Sequence, residues 1–207
     1  METKTASKRT GRPAGFDKEA ALEAAMLLFW ERGFEGTSMA DLTQAMGINA
    51  SSIYAAFGDK QNLFELVVKR YLETRGQYAT EALQEPTWER VVRALFDNTV
   101  DFLTSPGHPA ACMTLVDGMG CGVQGMQARD FVTKVRVQNE AEIRRRLIAA
   151  QEAGEFPGDQ NPEDYTRYLS MLLAGLSIQS ANGSTEAELK QTAQLALRHL
   201  GYCGARD

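Results

Sequence analysis

The chain of 207 residues is long enough for one compact domain or two small ones, and its 43% hydrophobic and 24% charged residues are typical of an ordinary globular protein. No apolar run reaches the roughly 18 residues of a membrane span, and no signal-peptide core follows the N-terminus, so we expect a cytoplasmic protein. The net charge of −5 by itself argues against nucleic-acid binding. The positions of the charges do not, because the first sixteen residues carry four basic side chains and one acidic side chain.

Residues 1–15 predict a flexible basic N-terminal arm. This arm contains Lys8-Arg9-Thr10-Gly11-Arg12-Pro13, and an extended basic segment of this type can lie in the minor groove of DNA or contact phosphates. Lys8, Arg9 and Arg12 are therefore candidate DNA-binding residues. The alternative is a disordered, solubilising tail.

The next predicted element is a helix with Asp17 as its N-cap and Gly33 at its end, and its wide apolar face is expected to form core. It is followed by a short helix that begins with the capping-box pair Ser38 and Asp41. Gly47 can adopt the left-handed conformation that ends this helix sharply. The pattern thus predicts two consecutive helices whose inward faces pack on each other.

A second short helix follows at once, capped by Asn49, with Ile53 facing inward. Its other face is small, hydroxyl-bearing and aromatic, without a charge. Two short helices joined by a tight Gly-containing turn form either a helix-turn-helix, whose second helix reads the DNA major groove, or an ordinary helical hairpin. Spacing alone does not decide between the two.

The rest of the chain also predicts helices, about nine in all, which makes the fold all-α. A helix capped by Asp59 is expected to run to about residue 84 and to link the short helices to the C-terminal part of the chain. The longest helix is expected from Met126 to Ala153. Asn161-Pro162 and the pair Thr185 and Glu188 are start signals for the last two helices.

No catalytic or metal-binding constellation is present in the sequence, so we expect neither an enzyme nor a cofactor. The two histidines lie outside any HExxH or GxSxG frame. The cysteines are odd in number and lack a CxxC pair, which argues against a disulfide framework or a zinc site. Because Cys112 and Cys121 are nine residues apart, they would lie on opposite faces of one helix, and we interpret them as reduced, packed thiols.

The segment from Phe16 to Tyr71 resembles the N-terminal domain of the TetR/AcrR family of transcriptional regulators. The resemblance rests on several stretches that match in order: Phe29-Trp30-Glu31-Arg32-Gly33-Phe34, Thr37-Ser38, Ala45-Met46-Gly47-Ile48 and Ser52-Ile53-Tyr54-Ala55-Ala56-Phe57-Gly58-Asp59-Lys60. It covers about a quarter of the chain. It implies a dimeric, all-helical, one-component regulator that binds double-stranded DNA.

On this resemblance, residues 16–60 form a helix-turn-helix DNA-binding domain, and residues 61–207 form a ligand-binding and dimerisation domain. The resemblance assigns phosphate and groove contacts to Thr37, Ser38, Asn49, Ala50, Ser51, Ser52, Tyr54, Ala55 and Lys60. Since no Arg or Lys lies on the second short helix, we expect readout through hydroxyl, methyl and aromatic contacts, water and DNA shape.

The resemblance also implies a small, largely apolar effector among the middle helices and a four-helix dimer interface near the C-terminus. Candidate effector contacts are Phe102, Met113, Val116, Met119, Phe131 and Leu173. Candidate dimer contacts are Tyr168, Leu172, Leu176, Leu189, Ala193 and Leu197. The alternative in both cases is that these apolar residues simply form core.

The function expected from the sequence is a ligand-responsive regulator, most simply a repressor that binds a palindromic operator as a homodimer. One alternative keeps the DNA binding but makes Cys112 or Cys121 an oxidant sensor. The other is a helical small-molecule-binding protein or enzyme with a vestigial helix-turn-helix.

Overall fold

The computed structural model describes residues 15–116 and 125–202, and within these ranges the chain forms ten helices and no strand. The helices are α1 Lys18–Arg32, α2 Met39–Met46, α3 Ala50–Phe57, α4 Lys60–Thr74, α5 Gln77–Ala82, α6 Trp88–Thr104, α7 Met113–Val116, α8 Met126–Glu152, α9 Pro162–Ala181 and α10 Glu186–His199. The all-α prediction is confirmed. No helix in the described ranges is both long and apolar enough to span a membrane.

The predicted start and stop signals are confirmed at the ends of most helices. The Ser38 hydroxyl accepts from the Asp41 amide at 3.1 Å while the Asp41 carboxylate accepts from the Ser38 amide at 2.8 Å, which completes the capping box of α2. Gly47 ends that helix at φ 65° and ψ 23°, the left-handed region that favours glycine. Thr185 and Glu188 form the second capping box, at the start of α10.

The predicted helix over residues 59–84 is two helices, which explains why the described ranges contain more helices than expected. The amides of Arg75 and Gly76 both donate to the carbonyl of Tyr71 at 2.8 Å, so the regular pattern of α4 ends there. A Cβ on Gly76 would lie 3.1 Å from the Cα of Leu72, so only glycine fits this tight exit without a shift.

The predicted helix around the cysteines begins later than expected. α7 begins at Met113, so Cys112 precedes the helix, and Cys121 lies outside the described residues. The argument that the two thiols occupy opposite faces of one helix is therefore wrong for Cys112. The two helix-breaking prolines before it, Pro106 and Pro109, lie in the loop after α6.

Two apolar cores hold the helices together. The first is built by α1 to α4 and extends into α7 and the first part of α8, with Trp30, Phe64 and Val132 among its buried side chains. The second is built by α5, α6, the later part of α8, α9 and α10. Phe102 of α6 packs against both cores. The short helices at the N-terminus are therefore packed directly against the helices that form the rest of the protein.

Candidate nucleic-acid interface and effector cavity

The two short helices α2 and α3 are held together by their inward apolar residues. Leu42, Met46, Ile53 and Phe57 are all buried in the first core. α3 starts where Asn49 accepts from the amide of Ser52 at 2.8 Å. The burial of one face and the short turn leave the opposite face of α3 at the protein surface.

The outer face of α3 carries the side chains that the sequence predicted as groove contacts. Tyr54 is 53% exposed, and Ser51 and Ala55 are also exposed, whereas Ala50 and Ser52 are half-buried. The Ser51 hydroxyl donates to the Asn49 side-chain oxygen at 2.7 Å. This surface has no charged side chain, so electrostatic attraction to phosphates must come from neighbouring segments.

Thr37 does not belong to this surface, which corrects its assignment as a phosphate contact. The residue is fully buried, and its hydroxyl donates to the carbonyl of Gly33 at 2.8 Å. The hydroxyl is therefore used to hold the connection between α1 and α2. The next residue, Ser38, is exposed and is the N-cap of α2.

An acidic residue lies at the start of α2, next to the expected DNA surface. Hydrogen bonds from the Ser38 hydroxyl and amide lower the pKa of Asp41, and the nearby charges of Arg32 and Lys60 act in the same direction. Arg32 forms an exposed ion pair with Asp41 at 3.4 Å. Asp41 is therefore an ionised cap that is neutralised in part by two cations.

Lys60 lies at the first position of α4, directly after the short turn that follows α3. Its ammonium is 4.3 Å from the centre of the Phe34 ring, a cation–π distance, and the side chain is half-buried. The predicted arm contacts Lys8, Arg9 and Arg12 lie outside the described residues.

Sequence reasoning missed two contacts of the helix-turn-helix region, one with the residues just before α7 and one with the start of α8. Trp30 of α1 donates its indole N–H to the carbonyl of Ala111 at 2.6 Å. Glu35, in the turn between α1 and α2, accepts from the amide of Gly125 at 2.9 Å, where α8 begins. In the sequence Trp30 looks only like an apolar core residue, and no local pattern marks a carboxylate that caps a helix 90 residues away.

A cavity of about 160 Å³ lies among α5, α6, α7, α8 and α9. Its lining combines apolar side chains with hydroxyl, thiol, amide and charged groups, at Tyr78, Thr99, Leu103, Cys112, Thr114, Leu115, Arg136, Asn139, Glu140, Ile143, Ser170, Leu173, Ala174 and Ser177. Of the predicted effector contacts whose side chains are described, Leu173 alone is among them. The described lining contains more polar groups than the sequence suggested, although most of its surface is apolar.

The other predicted effector contacts need correction or lie outside the described ranges. Met113 is fully buried in the first core, and Phe131 packs against that core beneath Lys69. Phe102 stacks on Tyr78 with ring centres 4.5 Å apart. These three side chains do not line the cavity because they are used in packing. Neither Met119 nor the side chain of Val116 is among the described groups.

The predicted dimer contacts divide into buried and accessible residues. Leu176, Leu189, Ala193 and Leu197 are buried in the second core of the single chain, where α9 and α10 pack against α6, so these four are wrong as dimer contacts. Leu172 is half-buried and Tyr168 is exposed. The exposed large apolar side chains on these two helices are Tyr168, Met171, Ile178 and Leu195.

The described residues contain no group of three or more His, Cys, Asp or Glu side chains that could hold a metal ion. The Cys112 sulfur lies 3.1 Å from the Thr114 hydroxyl and accepts a hydrogen bond from the Tyr71 hydroxyl at 3.5 Å. Burial raises the pKa of Tyr71 well above its ordinary value, so this hydroxyl keeps its proton and remains a donor.

The chain is similar to known transcriptional regulators. The model of the family described as bacterial regulatory proteins, tetR family, matches residues 21–67. The chain is 30% identical to the transcriptional repressor ComR of Escherichia coli K12 over 201 residues, which is 95% of this chain and 94% of ComR. It is 33% identical to the repressor BdcR of the same organism over 198 residues, 95% of each chain.

A solved structure has the same fold over nearly the whole chain. It is a cysteine variant of the TetR family transcriptional regulator CifR, in complex with 26-base-pair double-stranded operator DNA. The identity is 32%, the TM-score is 0.85, and the match covers 90% of this chain and 98% of CifR. These relatives are transcriptional regulators and not enzymes, in agreement with the expectation from the sequence. The chain belongs to the TetR family of helix-turn-helix transcriptional regulators.

Proposed function

We propose that the protein is a homodimeric repressor that binds a near-palindromic operator through α3 and releases it when a small molecule occupies the cavity between α5 and α9. The observation that carries this proposal is the exposed, uncharged outer face of α3 on a helix-turn-helix whose inner face is buried. The complex of CifR with operator DNA supports it, because the two chains share fold and 32% identity. Such a protein acts in the cytoplasm, where its operator is.

On the operator, the two α3 helices of a dimer would enter successive major grooves, so the half-sites would lie about one helical turn or more apart. Ser51, Tyr54 and Ala55 are the most accessible side chains for base and backbone contacts. Lys60 and the basic arm with Lys8, Arg9 and Arg12 would add attraction to phosphates. Affinity and specificity are thus divided between neighbouring segments.

Dimerisation would use the accessible apolar stripe of α9 together with α10. Tyr168, Met171, Gly175 and Ile178 follow the spacing of one helix face, and Leu195 is exposed on α10. A Cβ on Gly175 would meet no atom of the described residues within 4 Å, so this position allows a second copy to approach closely. The dimer surface proposed here therefore replaces the four buried residues of the sequence prediction.

Release would follow from a preference of the effector for the dimer form in which the two α3 helices are mis-spaced. A preference of roughly 1–3 kcal/mol lowers operator affinity about five- to 150-fold. The cavity adjoins Cys112, whose neighbour Ala111 is bonded to Trp30 of α1. A change of shape in the cavity thus has a short physical route to the helix-turn-helix.

Genome-wide mapping of bound DNA, followed by fluorescence anisotropy on the enriched sequence and a scrambled control, tests the proposal. We expect specific binding to an inverted repeat at least about 10³-fold tighter than to the scrambled duplex. Tyr54→Ala should weaken the specific complex without lowering thermal stability, since the side chain is exposed. Equal affinity for both duplexes would contradict the proposal and favour a vestigial helix-turn-helix.

A second candidate function, thiol-based regulation, is favoured by the position of Cys112. Its sulfur borders the cavity and is held by two hydroxyl groups, those of Tyr71 and Thr114. Loss of operator binding on peroxide treatment, restored by added thiol and absent in Cys112→Ser, would support it. Cys121→Ser is the necessary parallel variant. Unaltered binding after peroxide treatment would exclude this candidate.

A further inference from the structure

The cavity wall carries a positive charge, Arg136, that forms no ion pair within the described residues. The Arg136 guanidinium donates to the carbonyl of Thr114 at 3.2 Å and to the hydroxyl of Thr133 at 3.1 Å. These two bonds fix its plane and use two of its five N–H donors. None of the ion pairs formed in the described ranges includes Arg136, although it is half-buried on the cavity wall.

A hydroxyl in the same wall is buried without a hydrogen-bond partner. Ser170 Oγ lacks a partner anywhere in the described chain, although it is shielded from solvent. A buried polar group left unpaired is unfavourable, and a ligand oxygen that accepts its proton would remove that cost. The wall thus offers one charged donor at its surface and, just beneath the surface, an unpaired hydroxyl that reaches an occupant by rotation about the Cα–Cβ bond of Ser170.

The acidic residue on the wall does not cancel this preference. Glu140 is exposed and also borders a separate surface pocket between α8 and α9, so its carboxylate is in contact with solvent. Arg136 is held further in by its bond to Thr114, which is itself buried. An anion inside the cavity would therefore meet the guanidinium before the carboxylate.

The size of the cavity limits the occupant. A cavity of about 160 Å³ is close to an engineered 150 Å³ cavity that holds one benzene molecule. Leu103, Leu115, Ile143 and Leu173 provide the apolar part of the lining. The part of the ligand that lies inside the cavity is therefore about the size of a single ring or a short branched chain, roughly six to ten non-hydrogen atoms.

We propose that the effector is a small monocarboxylate whose carboxylate is bound by Arg136 and Ser170 and whose apolar body fills the rest of the cavity. A carboxylate is the acceptor that best matches a planar guanidinium, because two parallel N–H groups can meet its two oxygens. The regulatory role of this ligand rests on the proposed function, but the binding of a carboxylate at Arg136 does not. It replaces the largely apolar molecule expected from the sequence.

The test uses the full-length protein without DNA and sodium benzoate as the probe. Binding is measured by calorimetry and by the shift of the unfolding temperature, at an ionic strength matched with sodium chloride. Benzamide, which has the same shape but no charge, is the matched ligand control. We expect saturable binding of one benzoate per chain, about tenfold or more tighter than benzamide.

Variants identify the site. Arg136→Met should weaken benzoate binding at least about tenfold and leave benzamide nearly unaffected, and Arg136→Lys should recover part of the loss. Ser170→Ala removes a hydroxyl that forms no hydrogen bond with any other described residue, so it should fold normally and bind benzoate several-fold more weakly. Arg129→Met, on the same helix but away from the cavity, should bind like the parent.

Equal affinity for benzoate in the parent and in Arg136→Met, or equal affinity of the parent for benzoate and benzamide, would overturn the proposal. The proposal would also be overturned if the protein bound neither benzoate nor 4-methylpentanoate, a branched carboxylate used as the second probe. Operator binding is measured separately, in the presence and absence of benzoate. Benzoate that binds at Arg136 but leaves the operator complex intact would uphold the site and contradict the proposed release mechanism.

Discussion

The indole nitrogen of Trp30 donates to the carbonyl oxygen of Ala111 at 2.6 Å across 81 positions of sequence. The same indole stacks on the His108 ring with centres 4.7 Å apart and meets the Tyr71 ring edge-on at 4.9 Å. Trp30 thereby joins α1, α4 and the loop before α7. Since Cys112 follows Ala111 and lines the cavity, this tryptophan connects the helix-turn-helix region to the cavity wall.

Trp30→Phe should lower the stability of the protein and weaken the connection between the helix-turn-helix region and the cavity wall. Phenylalanine keeps part of the stacking but removes the N–H donor and leaves the Ala111 carbonyl without it. We expect a loss of about 0.5–1.5 kcal/mol in the free energy of unfolding from the hydrogen bond, beyond the loss of ring volume. Chemical denaturation measures the loss of stability, and hydrogen exchange at residues 110–113 should become faster.

Trp88→Phe is the matched control, because Trp88 is also fully buried but, among the described residues, its indole nitrogen has only a contact with the Tyr202 hydroxyl that falls outside normal hydrogen-bond geometry. The same change in ring volume therefore occurs there with loss of a much weaker polar contact. Equal destabilisation by the two substitutions would contradict an energetic role for the Trp30 to Ala111 bond. Exchange at residues 110–113 should not change in the control.

Glu35→Ala should loosen the start of α8. Gly125 provides no side-chain cap of its own, and the Glu35 carboxylate both accepts its amide and lies at the positive end of a 27-residue helix. We expect faster hydrogen exchange at residues 126–130. Glu31→Ala is the control, because it makes the same change of charge on α1 without touching α8. Both variants should share any gain in DNA affinity that comes from the lost negative charge, but only Glu35→Ala should speed exchange at the start of α8. Unchanged exchange would refute the cap.

Local signals predicted much of this fold because helix caps act over three or four residues. Ser38, Asn49, Asp59 and Thr185 all cap the helices assigned to them. The break between α4 and α5 was missed because it depends on the close approach of Gly76 to Leu72, which the preceding apolar pattern does not record. A helix pattern thus identifies the element more reliably than its end.

The site was harder to predict because it depends on which neighbour covers each side chain. An amphipathic pattern cannot tell whether Leu189 and Leu197 face a second copy or, as in this chain, α6. Likewise, adjacent hydroxyls at Thr37 and Ser38 look alike in sequence, but only packing turns one inward. Nothing in the sequence distinguishes Arg136 from the other arginines of α8, because the lack of an ion pair with a described carboxylate is a property of the folded chain.

Thr37→Val should lower stability and leave DNA binding intact. Valine fits the same space but removes the hydroxyl that donates to Gly33, so the free energy of unfolding should fall by about 1–3 kcal/mol. Operator affinity and its salt dependence, measured well below the unfolding temperature, should not change. Thr37→Ser retains the donor and is the control for the hydroxyl. A reduced salt dependence in Thr37→Val would restore Thr37 to the DNA surface.

Lys60→Ala should weaken binding to all DNA sequences by about the same factor. If the ammonium neutralises one phosphate, its loss lowers the slope of log affinity against log salt by roughly one. The measurement is a salt titration by fluorescence anisotropy with specific and scrambled duplexes. Lys69→Ala, an exposed lysine later on α4, is the control and should keep the parent slope. A slope that stays the same in Lys60→Ala would contradict the phosphate contact.

Met171→Glu should dissociate the proposed dimer. Met171 is 59% exposed at the centre of the α9 stripe, so within one chain a carboxylate there stays in water and costs little stability. In a two-fold interface the same substitution brings two like charges together and desolvates both, since the surface faces itself. Light scattering after size exclusion should give a monomer, and operator affinity should fall because only one half-site is bound at a time. Leu66→Glu, at a 39% exposed leucine of α4, should stay dimeric. Burying two like charges in an interface must raise the dissociation constant of the dimer. A dimer with an unchanged dissociation constant in Met171→Glu would therefore mean that the interface lies on another face.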